Sequence, residues 1–411
     1  IIFSLNKFSP NNYYIKNIHY YWLCHSFNKR STHIMDLSLL YYGAQWLAGF
    51  IAFVTIWGLL PLDNWWVRGV EFPRIQIMFL GLAAWLGMVI FWSDWQLGQW
   101  LLFIVLSSAL AFQLRMVLPY TILWKKEVLT AKDMPNGHAH QLKIMVSNVL
   151  TPNDETQKLV ELVKDKRPDI LITLETDKKW EKALNQIEAN YPYTVKVPLD
   201  NLYGMHLYSK LELIDPEVKY LMIDDIPSIH TQLRLQGGQV IWLYCLHPMP
   251  PSPTEADKST TRDAELLMVG KHIKENKQTA ILAGDLNDVA WSKTTRRFQR
   301  ISGLLDPRIG RHFINTFHVK YPFLRWALDH IFHSACFTVV DIKRMPSIGS
   351  DHFPVMTTLQ YDPEQASKQQ SNAPTEKVED VKEAKNTIEA GKKEGCKVSK
   401  EHAEAEKESD C

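Results

Sequence analysis

The sequence has 411 residues and nearly balanced charge, with 46 Lys and Arg against 45 Asp and Glu. This length is enough for two domains with sizeable cores. A net charge of +1 excludes a strongly basic protein that attracts nucleic acid through its overall field. The five cysteines include no CxxC pair and no Cys/His spacing of a zinc site, which excludes a disulfide scaffold and a structural zinc module.

The first 34 residues contain no Met and show no sustained helical or strand period, and Met35 stands just ahead of the first apolar run. We interpret residues 1–34 as an upstream extension of the reading frame. The alternative interpretation is a basic leader around Lys29 and Arg30.

Three long segments without a charged residue follow, at residues 37–60, 75–93 and 95–114. Each is long enough to cross a bilayer, because a spanning helix needs about 20 apolar residues. Nine of the fourteen tryptophans fall between Trp46 and Trp124, and several flank these segments, where an aromatic belt is expected. Residues 35–124 are therefore predicted to form a three-helix transmembrane region, followed by a linker at 125–140.

Residues 141–361 have a different pattern, in which short apolar runs alternate with helix-like segments. The runs are bounded by Pro, Gly and Asn, which is typical of buried strands, and their mixture with helices predicts a layered α/β domain. This domain is almost neutral, with 27 basic and 26 acidic residues.

The C-terminal residues 362–411 consist mainly of Glu, Lys, Ala, Ser and Gln. Such a segment cannot bury enough apolar surface to offset the entropy lost on ordering. We therefore expect a charged tail that is disordered or transiently helical.

Polar side chains follow the predicted strands of the α/β domain, where such proteins usually place their sites. They are Asn148, Glu175, His247, Asp285 and Asn287, and further along the chain Asp329, Asp351 and His352. Each alone has an ordinary explanation as a turn former or helix cap, and His330 and His333 are interpreted as structural. As a set, carboxylates, histidines and amides at strand ends would supply both oxygen ligands for a metal and groups that transfer protons.

The order of these motifs resembles the endonuclease/exonuclease/phosphatase superfamily. The motifs are Asn148, LET at 174–176, SK at 209–210, HP at 247–248, GDLN at 284–287, LDHIFHS at 328–334 and GSDHFPV at 349–355. The sequence is similar to bacterial membrane-anchored members, which include a glycopeptide-resistance-associated branch. The resemblance implies a four-layer α/β sandwich of two packed mixed sheets, preceded here by three transmembrane helices, with a divalent-metal phosphoesterase site at one edge of the sheets.

The resemblance also implies a role for each carboxylate and amide. Glu175, helped by Asp351, would bind Mg²⁺ or Mn²⁺ through oxygen. Asp285 would orient the attacking water or accept its proton, and Asn287 and Asn148 would fix the geometry by hydrogen bonds.

The histidines have separate implied roles. His352, oriented by Asp329, would donate a hydrogen bond to a phosphate oxygen, and His247 would act on the leaving-group side.

Two features depart from the family pattern. Ala327 stands where many members have Arg, with Arg325 two residues further back, and His247 replaces the Asn that is common in DNA-repair members. The second departure favours the phosphodiesterase and phosphatase branches over an abasic-site enzyme.

The main hypothesis is a membrane-anchored, metal-dependent phosphoesterase that acts on a phosphate ester or pyrophosphate, with a lipid-linked substrate favoured. One alternative is a metal-dependent endonuclease or exonuclease acting on DNA or RNA. It is favoured by the basic cluster Lys293, Arg296, Arg297 and Arg300, although such a cluster on a helix is more often a solvated face. The other alternative is a catalytically inactive membrane interaction module. The sequence leaves the oligomeric state open.

The sequence gives conflicting indications of the side of the membrane on which the α/β domain lies. With three spans, Arg68, Arg74, Lys125 and Lys126 share the side of the α/β domain, which the positive-inside rule would make cytoplasmic. The resemblance to cell-envelope members instead favours the outer side of a bacterial inner membrane, which is the placement we expect.

Overall fold

The structure is a computed structural model that describes residues 38–91, 95–132 and 140–409. It forms two compact units. Among the described residues, the first contains 38–56, 76–91 and 95–113, and the second contains 57–75, 114–132 and 140–409. The extension or leader expected at residues 1–34 lies outside the described residues.

The N-terminal apolar segments fold as helices. Helix α1 spans Ser38–Trp57, α2 spans Trp65–Arg68 and continues as a 3₁₀ turn at Gly69–Glu71, α3 spans Arg74–Ile90, and α4 spans Leu97–Val117 with a 3₁₀ turn at Leu118–Tyr120. Both α1 and Leu97–Tyr120 are long and apolar enough to cross a membrane. A third span is counted only if Trp65–Glu71 and Arg74–Ile90, which are bent by 70° at their junction, form one span. Two or three of the three expected helices are therefore long and apolar enough to span a membrane.

Small residues allow the helices of the first unit to pack closely. A Cβ atom added at Gly87 would lie 2.8 Å from the Cβ of Ala44. Gln113 donates a hydrogen bond of 3.1 Å to the hydroxyl of Thr55, so a buried amide on α4 is satisfied by α1. Many large apolar side chains of these helices face outward, which is typical of helices surrounded by lipid.

The second unit contains two mixed β-sheets, as the resemblance implies. The first has the strand order β10-β11-β1-β2-β4-β3 and the second β5-β6-β7-β8-β9. The strands are β1 (Gln141–Asn148), β2 (Ile170–Leu174), β3 (Tyr193–Val197), β4 (Met205–Ser209), β5 (Leu213–Lys219), β6 (Ser228–Arg234), β7 (Val240–Leu246), β8 (Ala280–Asp285), β9 (Asp329–His333), β10 (Phe337–Arg344) and β11 (Val355–Tyr361). The helices are α5 (Thr156–Lys166), α6 (Lys178–Leu184), α7 (Thr260–Glu275), α8 (Lys293–Ser302), α9 (Ala366–Gln370) and α10 (Val378–Ser409).

The main core lies between the two sheets, where Ile144 and Ile172 of the first sheet belong to the same buried cluster as Leu243 and Ile281 of the second. Helices α5 and α6 cover the outer face of the first sheet, and α7 and α8 cover that of the second. The predicted four layers are thus confirmed. In the sheets β1 runs parallel to β2 and β7 parallel to β8, and a hydrogen bond between Asn148 and Asp285 shows that both pairs end at the same edge of the sandwich.

The C-terminal segment, expected to be a disordered or transiently helical tail, forms α9 and the long helix α10 over its described residues. Asp380 forms a bidentate ion pair with Arg300 at 2.7 Å, and Ala384 is buried in the outer apolar cluster of α7 and α8. Gly391 allows close contact, since a Cβ there would lie 2.2 Å from that of Ala264. Paired charges and small residues hold this helix in place, and composition alone does not reveal such contacts.

The linker expected at 125–140 is also packed over its described part. Val128 is fully buried, and the amide of Ala131 donates a hydrogen bond of 2.8 Å to the carbonyl of Val339 at the edge of the first sheet. The carboxylate of Glu127 accepts a hydrogen bond of 2.8 Å from the amide of Asp306. Residues 133–139 of the linker lie outside the described residues.

The connection between α1 and α3, residues 58–73, packs against the α/β domain, and we call it the interhelical segment. The amide of Trp65 donates to the carbonyl of Asp257 at 2.8 Å, and that of Ser259 donates to the carbonyl of Asp63 at 2.8 Å. The indole of Trp291, in the loop after β8, donates to the carbonyl of Glu71 at 2.7 Å. The sequence does not predict this docking, because the contacts join residues almost two hundred positions or more apart.

Candidate active site

Three polar side chains meet where β1, β2 and β8 end. The amide of Asn148 donates to Glu175 Oε1 at 2.7 Å and to Asp285 Oδ2 at 3.2 Å. Asn148 and Asp285 belong to different sheets, so this amide joins the two halves of the sandwich at the site. The structure therefore brings together three of the strand-end residues singled out from the sequence.

Glu175 has the environment of a metal ligand. Its φ is +60°, and the hydroxyl of Thr151 holds its carbonyl with a hydrogen bond of 2.8 Å. Its Oε2 atom is buried and has no hydrogen-bond partner within the part of the chain that the structure describes. Burial raises the pKa of Glu175 to about 7, and the nearby carboxylates of Asp351 and Asp285 add to this although Asn148 opposes it. A buried carboxylate oxygen without a partner, close to further carboxylates, fits a divalent cation with oxygen ligands.

His352 forms an ion pair with Asp329. The two are joined by a hydrogen bond of 2.9 Å from Nδ1 to Oδ2, and Nε2 lies 3.5 Å from Asp285 Oδ2. Burial disfavours the charged ring, but the two carboxylates outweigh burial and raise the pKa of His352 to about 10. The ring is therefore an imidazolium at neutral pH, with both N–H groups directed toward carboxylates.

Asp285, Asp329 and His352 are also close enough together to hold a metal ion themselves. A charged imidazolium has no free lone pair, however, so His352 cannot act as a ligand in this protonation state. The arrangement fits a charged His352 paired with Asp329 better than a metal site, and Glu175 remains the better metal ligand.

His247, at the end of β7, is buried beside the ring of Tyr203 at 5.4 Å. Burial lowers the pKa of His247 to about 4, although Asp285 opposes the shift. Its Nδ1 has no hydrogen-bond partner among the described residues. His247 is thus a neutral imidazole at neutral pH with an unsatisfied ring nitrogen, and this state leaves it able to contact a substrate.

The loop after β8 explains the GDLN motif. Gly284 has a φ of +149°, and a Cβ there would lie 1.9 Å from the carbonyl oxygen of Leu246 on β7, so no other residue fits. Asn287 has a φ of +50°. Its backbone N–H donates to Asp285 Oδ1 at 2.9 Å, and its side-chain amide donates to the carbonyl of Pro248 at 3.0 Å. The motif therefore fixes Asp285 relative to the β7 end.

Sequence reasoning missed the buried ion pairs that support this loop. Arg262 on α7 donates to the carbonyl of Asn287 at 2.7 Å and to Asp263 at 2.8 Å. Arg68 of the interhelical segment lies 4.0 Å from Asp263 and 2.7 Å from Asp63. A buried Arg and Asp at the start of a helix cannot be distinguished from surface charges in one sequence, so no local signal would have found them.

The remaining predicted residues lie outside the cluster. His330 is structural, as predicted, since its Nε2 contacts the carbonyl of Asp288 at 2.8 Å and its Nδ1 accepts from Arg308 at 2.7 Å. His333 contacts the carbonyl of Ser334 at 3.0 Å. Arg325, which lies two residues before Ala327, donates to the carbonyl oxygens of its own loop and lies over the ring of Phe353.

Comparisons with known proteins find similar solved structures and a matching family. Among solved structures, the chain is similar to D. rerio TDP2 complexed with a single-strand DNA product (19% identity, 54% of this chain and 99% of that chain, TM-score 0.46). It is similar to the human Nocturnin catalytic domain with bound sulfate (16% identity, 54% of this chain and 94% of that chain, TM-score 0.44). It is also similar to Sphingomyelinase C from Streptomyces griseocarneus (16% identity, 53% of this chain and 99% of that chain, TM-score 0.40). No curated protein matches the chain.

The model of the Endonuclease/Exonuclease/phosphatase family matches residues 145–352, which is half of the chain and includes every side chain of the cluster described above. The chain therefore belongs to the Endonuclease/Exonuclease/phosphatase family, whose members are hydrolases that act on phosphoester bonds.

Proposed function

We propose that the protein is a membrane-anchored, divalent-metal-dependent phosphoesterase that hydrolyses a phosphate ester or pyrophosphate on a lipid carrier. The observation that carries this proposal is the docking of the interhelical segment on the loop after β8 through Trp291 and Glu71. That segment links α1 to α3, so the chain enters its apolar helices from residues packed beside the active-site loop.

The cluster supports hydrolysis by an attacking water. Bound at Glu175 and Asp351, a Mg²⁺ or Mn²⁺ ion would neutralise negative charge on the phosphoryl group. Asp285 orients the water or accepts its proton, because its carboxylate is held by both Asn148 and the backbone of Asn287.

The charged ring of His352 donates a hydrogen bond to a phosphate oxygen as negative charge builds up there, and Asp329 keeps the ring charged and oriented. His247 acts on the leaving-group side. Its neutral ring can donate a hydrogen bond to the departing oxygen, and an anionic phosphate nearby would raise its pKa toward that of a proton donor.

The interhelical segment also supports three membrane spans. It belongs to the same compact unit as the chain from Leu114 onward, so both lie on one side of the membrane. The chain between Ile75 and Leu114 must then cross an even number of times. Because α4 is long enough to cross, we infer that α3 crosses as well, although its 17 residues rise only about 25 Å, which is near the lower limit for a span.

We place the α/β domain on the outer side of a bacterial inner membrane. Arg68 and Arg74, which would favour the cytoplasmic side, are buried and paired with Asp63 and Glu71, so they stabilise the second unit and need not act as topology signals. Digestion of the domain by protease added to intact spheroplasts, whose outer membrane has been opened, checks this placement, and complete protection there would refute it.

Ion pairs made by the basic cluster on α8 favour a lipid substrate over nucleic acid. Arg300 and Arg297 are paired with Asp380 and Glu383 of α10, and Lys293 lies 3.8 Å from Glu383. These pairs leave little positive charge for phosphates of DNA or RNA. The inactive-module alternative is disfavoured, because the chain has all the side chains of the catalytic cluster.

The test uses the full-length protein reconstituted in liposomes with Mg²⁺ or Mn²⁺. We expect phosphate release from a polyprenyl pyrophosphate in the same bilayer to exceed cleavage of single- or double-stranded DNA at equal enzyme concentration. The Asp285→Asn variant serves as the control for contaminating phosphatases. Efficient DNA cleavage with the lipid left intact would replace the proposal by the nuclease alternative.

The role of His247 is tested by the leaving group. We expect His247→Ala to slow hydrolysis of an alkyl phosphate ester by roughly 10²–10⁴-fold and that of a nitrophenyl ester much less, because only a poor leaving group needs a proton. His352→Ala should impair both esters alike. Equal losses on the two esters in His247→Ala would assign this residue a binding or structural role.

A further inference from the structure

Residues 317–326, which we call the rim loop, form a closed loop just before β9. Its base is joined by hydrogen bonds from the amides of Phe317 and Thr316 to the carbonyl of Trp326, at 3.0 and 2.9 Å. Arg325 holds the loop internally by donating to the carbonyl oxygens of His318 and Val319. The rim loop is therefore an ordered structure with its own hydrogen bonds.

The base of the rim loop contacts the catalytic residues. The ring of Phe317 lies 4.9 Å from that of His352, and the two residues form an antiparallel bridge. The amide of Val319 donates to the carbonyl of Asp351 at 2.8 Å. The loop consequently rises directly from the edge of the active site.

The rim loop also contacts the interhelical segment. The indole of Trp326 packs edge-on against the ring of Phe72, with 5.7 Å between ring centroids. Phe72 is two residues from Arg74, where α3 begins. The loop therefore lies where the chain enters an apolar helix, in the same compact unit as the catalytic residues.

The tip of the rim loop exposes three large apolar side chains: Tyr321 is 57% exposed, Phe323 86% and Leu324 47%. Basic residues accompany them, since Lys320 is exposed at the tip and the guanidinium of Arg344 lies 4.4 Å from the same Phe353 ring as Arg325. Aromatic and aliphatic side chains flanked by cations are the combination that binds at a membrane–water interface. In water, this arrangement would only expose apolar surface.

We propose that the rim loop inserts Tyr321, Phe323 and Leu324 into the surface of the bilayer that holds the apolar helices. The active site then opens toward the headgroup layer, and its substrate is a phosphate ester whose lipid part stays in the membrane. This inference rests on the proposed function and specifies where the substrate is taken from. The occupant of the exposed surface is the bilayer, because the loop packs on the residues that lead into α3.

Insertion is tested first without reference to activity. Full-length protein in liposomes carries Phe323→Cys, with Cys24, Cys396 and Cys411 replaced by Ser, and is labelled with an environment-sensitive fluorophore. The matched control is Tyr220→Cys in the same background, since Tyr220 is 47% exposed just after β5. We expect lipids with a nitroxide on the acyl chain to quench the label at 323 and not at 220. Equal quenching at the two positions would overturn the proposal.

A second measurement compares two substrates with the same headgroup, one embedded in vesicles and one soluble with a short chain. In Phe323→Ser combined with Leu324→Ser, turnover of the embedded ester relative to the soluble ester should fall by about tenfold or more, whereas Tyr220→Ser should leave this ratio unchanged. An unchanged ratio in the double variant would contradict the proposal. If the wild type hydrolyses neither ester, the proposed function fails, while the quenching contrast still decides whether the loop inserts.

Discussion

Replacing Asp329 by Asn should slow hydrolysis by roughly 10²–10⁴-fold at pH 8.5, with a smaller loss at pH 6. In the wild type, Asp329 and Asp285 raise the pKa of His352 to about 10 against the effect of burial. Asn keeps the shape of the side chain but removes the charge that is hydrogen-bonded to Nδ1 at 2.9 Å. Burial then dominates, the pKa of His352 falls, and the ring loses its proton at alkaline pH.

The sign of the pH effect distinguishes this explanation from a simple loss of structure. The wild-type imidazolium stays charged below pH 10, so it contributes no change in rate between pH 6 and 8.5. In Asp329→Asn the charged fraction rises as the pH falls, and the rate relative to the wild type should rise with it. Asp341→Asn, at an exposed carboxylate on β10 paired with Lys343, should have no effect. A variant-to-wild-type ratio that does not depend on pH would refute the role given to Asp329.

The strand-end residues are predictable from the sequence because short buried strands can be recognised from their apolar runs. Asn148 and Glu175 end neighbouring parallel strands, and His247 and Asp285 lie at the ends of another parallel pair, so each pair must reach one edge of its own sheet. That the two sheets bring their ends into contact, as the hydrogen bond from Asn148 to Asp285 does, follows from the fold that the resemblance implies.

The supporting contacts are not predictable in this way, because they depend on pairs of residues far apart in the chain. Arg262 resembles an ordinary helix-surface residue until the loop after β8 is placed beside it. The helix α10 is held by Asp380, Ala384 and Gly391, which differ in no obvious way from their neighbours in a charged segment. Composition gives only the average hydrophobicity and charge of such a segment, whereas its packing depends on a few positions.

The interhelical segment is a second part of the chain whose packing the sequence does not predict. Its sequence, between two apolar runs, is typical of a short exposed turn between spanning helices, with Trp65 and Trp66 at the interface. In the structure, Arg68 and Glu71 are buried against the α/β domain instead. The interhelical segment and the catalytic loop are therefore parts of one packed arrangement, although the sequence assigns them to separate domains.

Removing divalent cations should abolish hydrolysis, and Glu175→Gln should reduce it by about 10³-fold or more even with excess cation. The Gln side chain keeps an oxygen that can accept the hydrogen bond from Asn148, so the fold of the site should survive. It lacks the charge of the buried carboxylate, whose Oε2 has no partner within the described residues. The loss should therefore come from cation binding. Undiminished turnover of the wild type with excess EDTA would refute metal dependence.

A readout that does not depend on activity separates binding from catalysis. Mn²⁺ should raise the melting temperature of the wild type, because a ligand that binds only the folded state stabilises it, and this shift should disappear in Glu175→Gln. Glu265→Gln is the matched control, since Glu265 is also a buried carboxylate with an unpartnered oxygen among the described residues, and burial alone raises its pKa to about 8. A Mn²⁺ shift that persists in Glu175→Gln would remove Glu175 from the cation site. Since Glu265 is largely neutral at pH 7 and no site charge acts on it, its variant should retain both the Mn²⁺ shift and the activity.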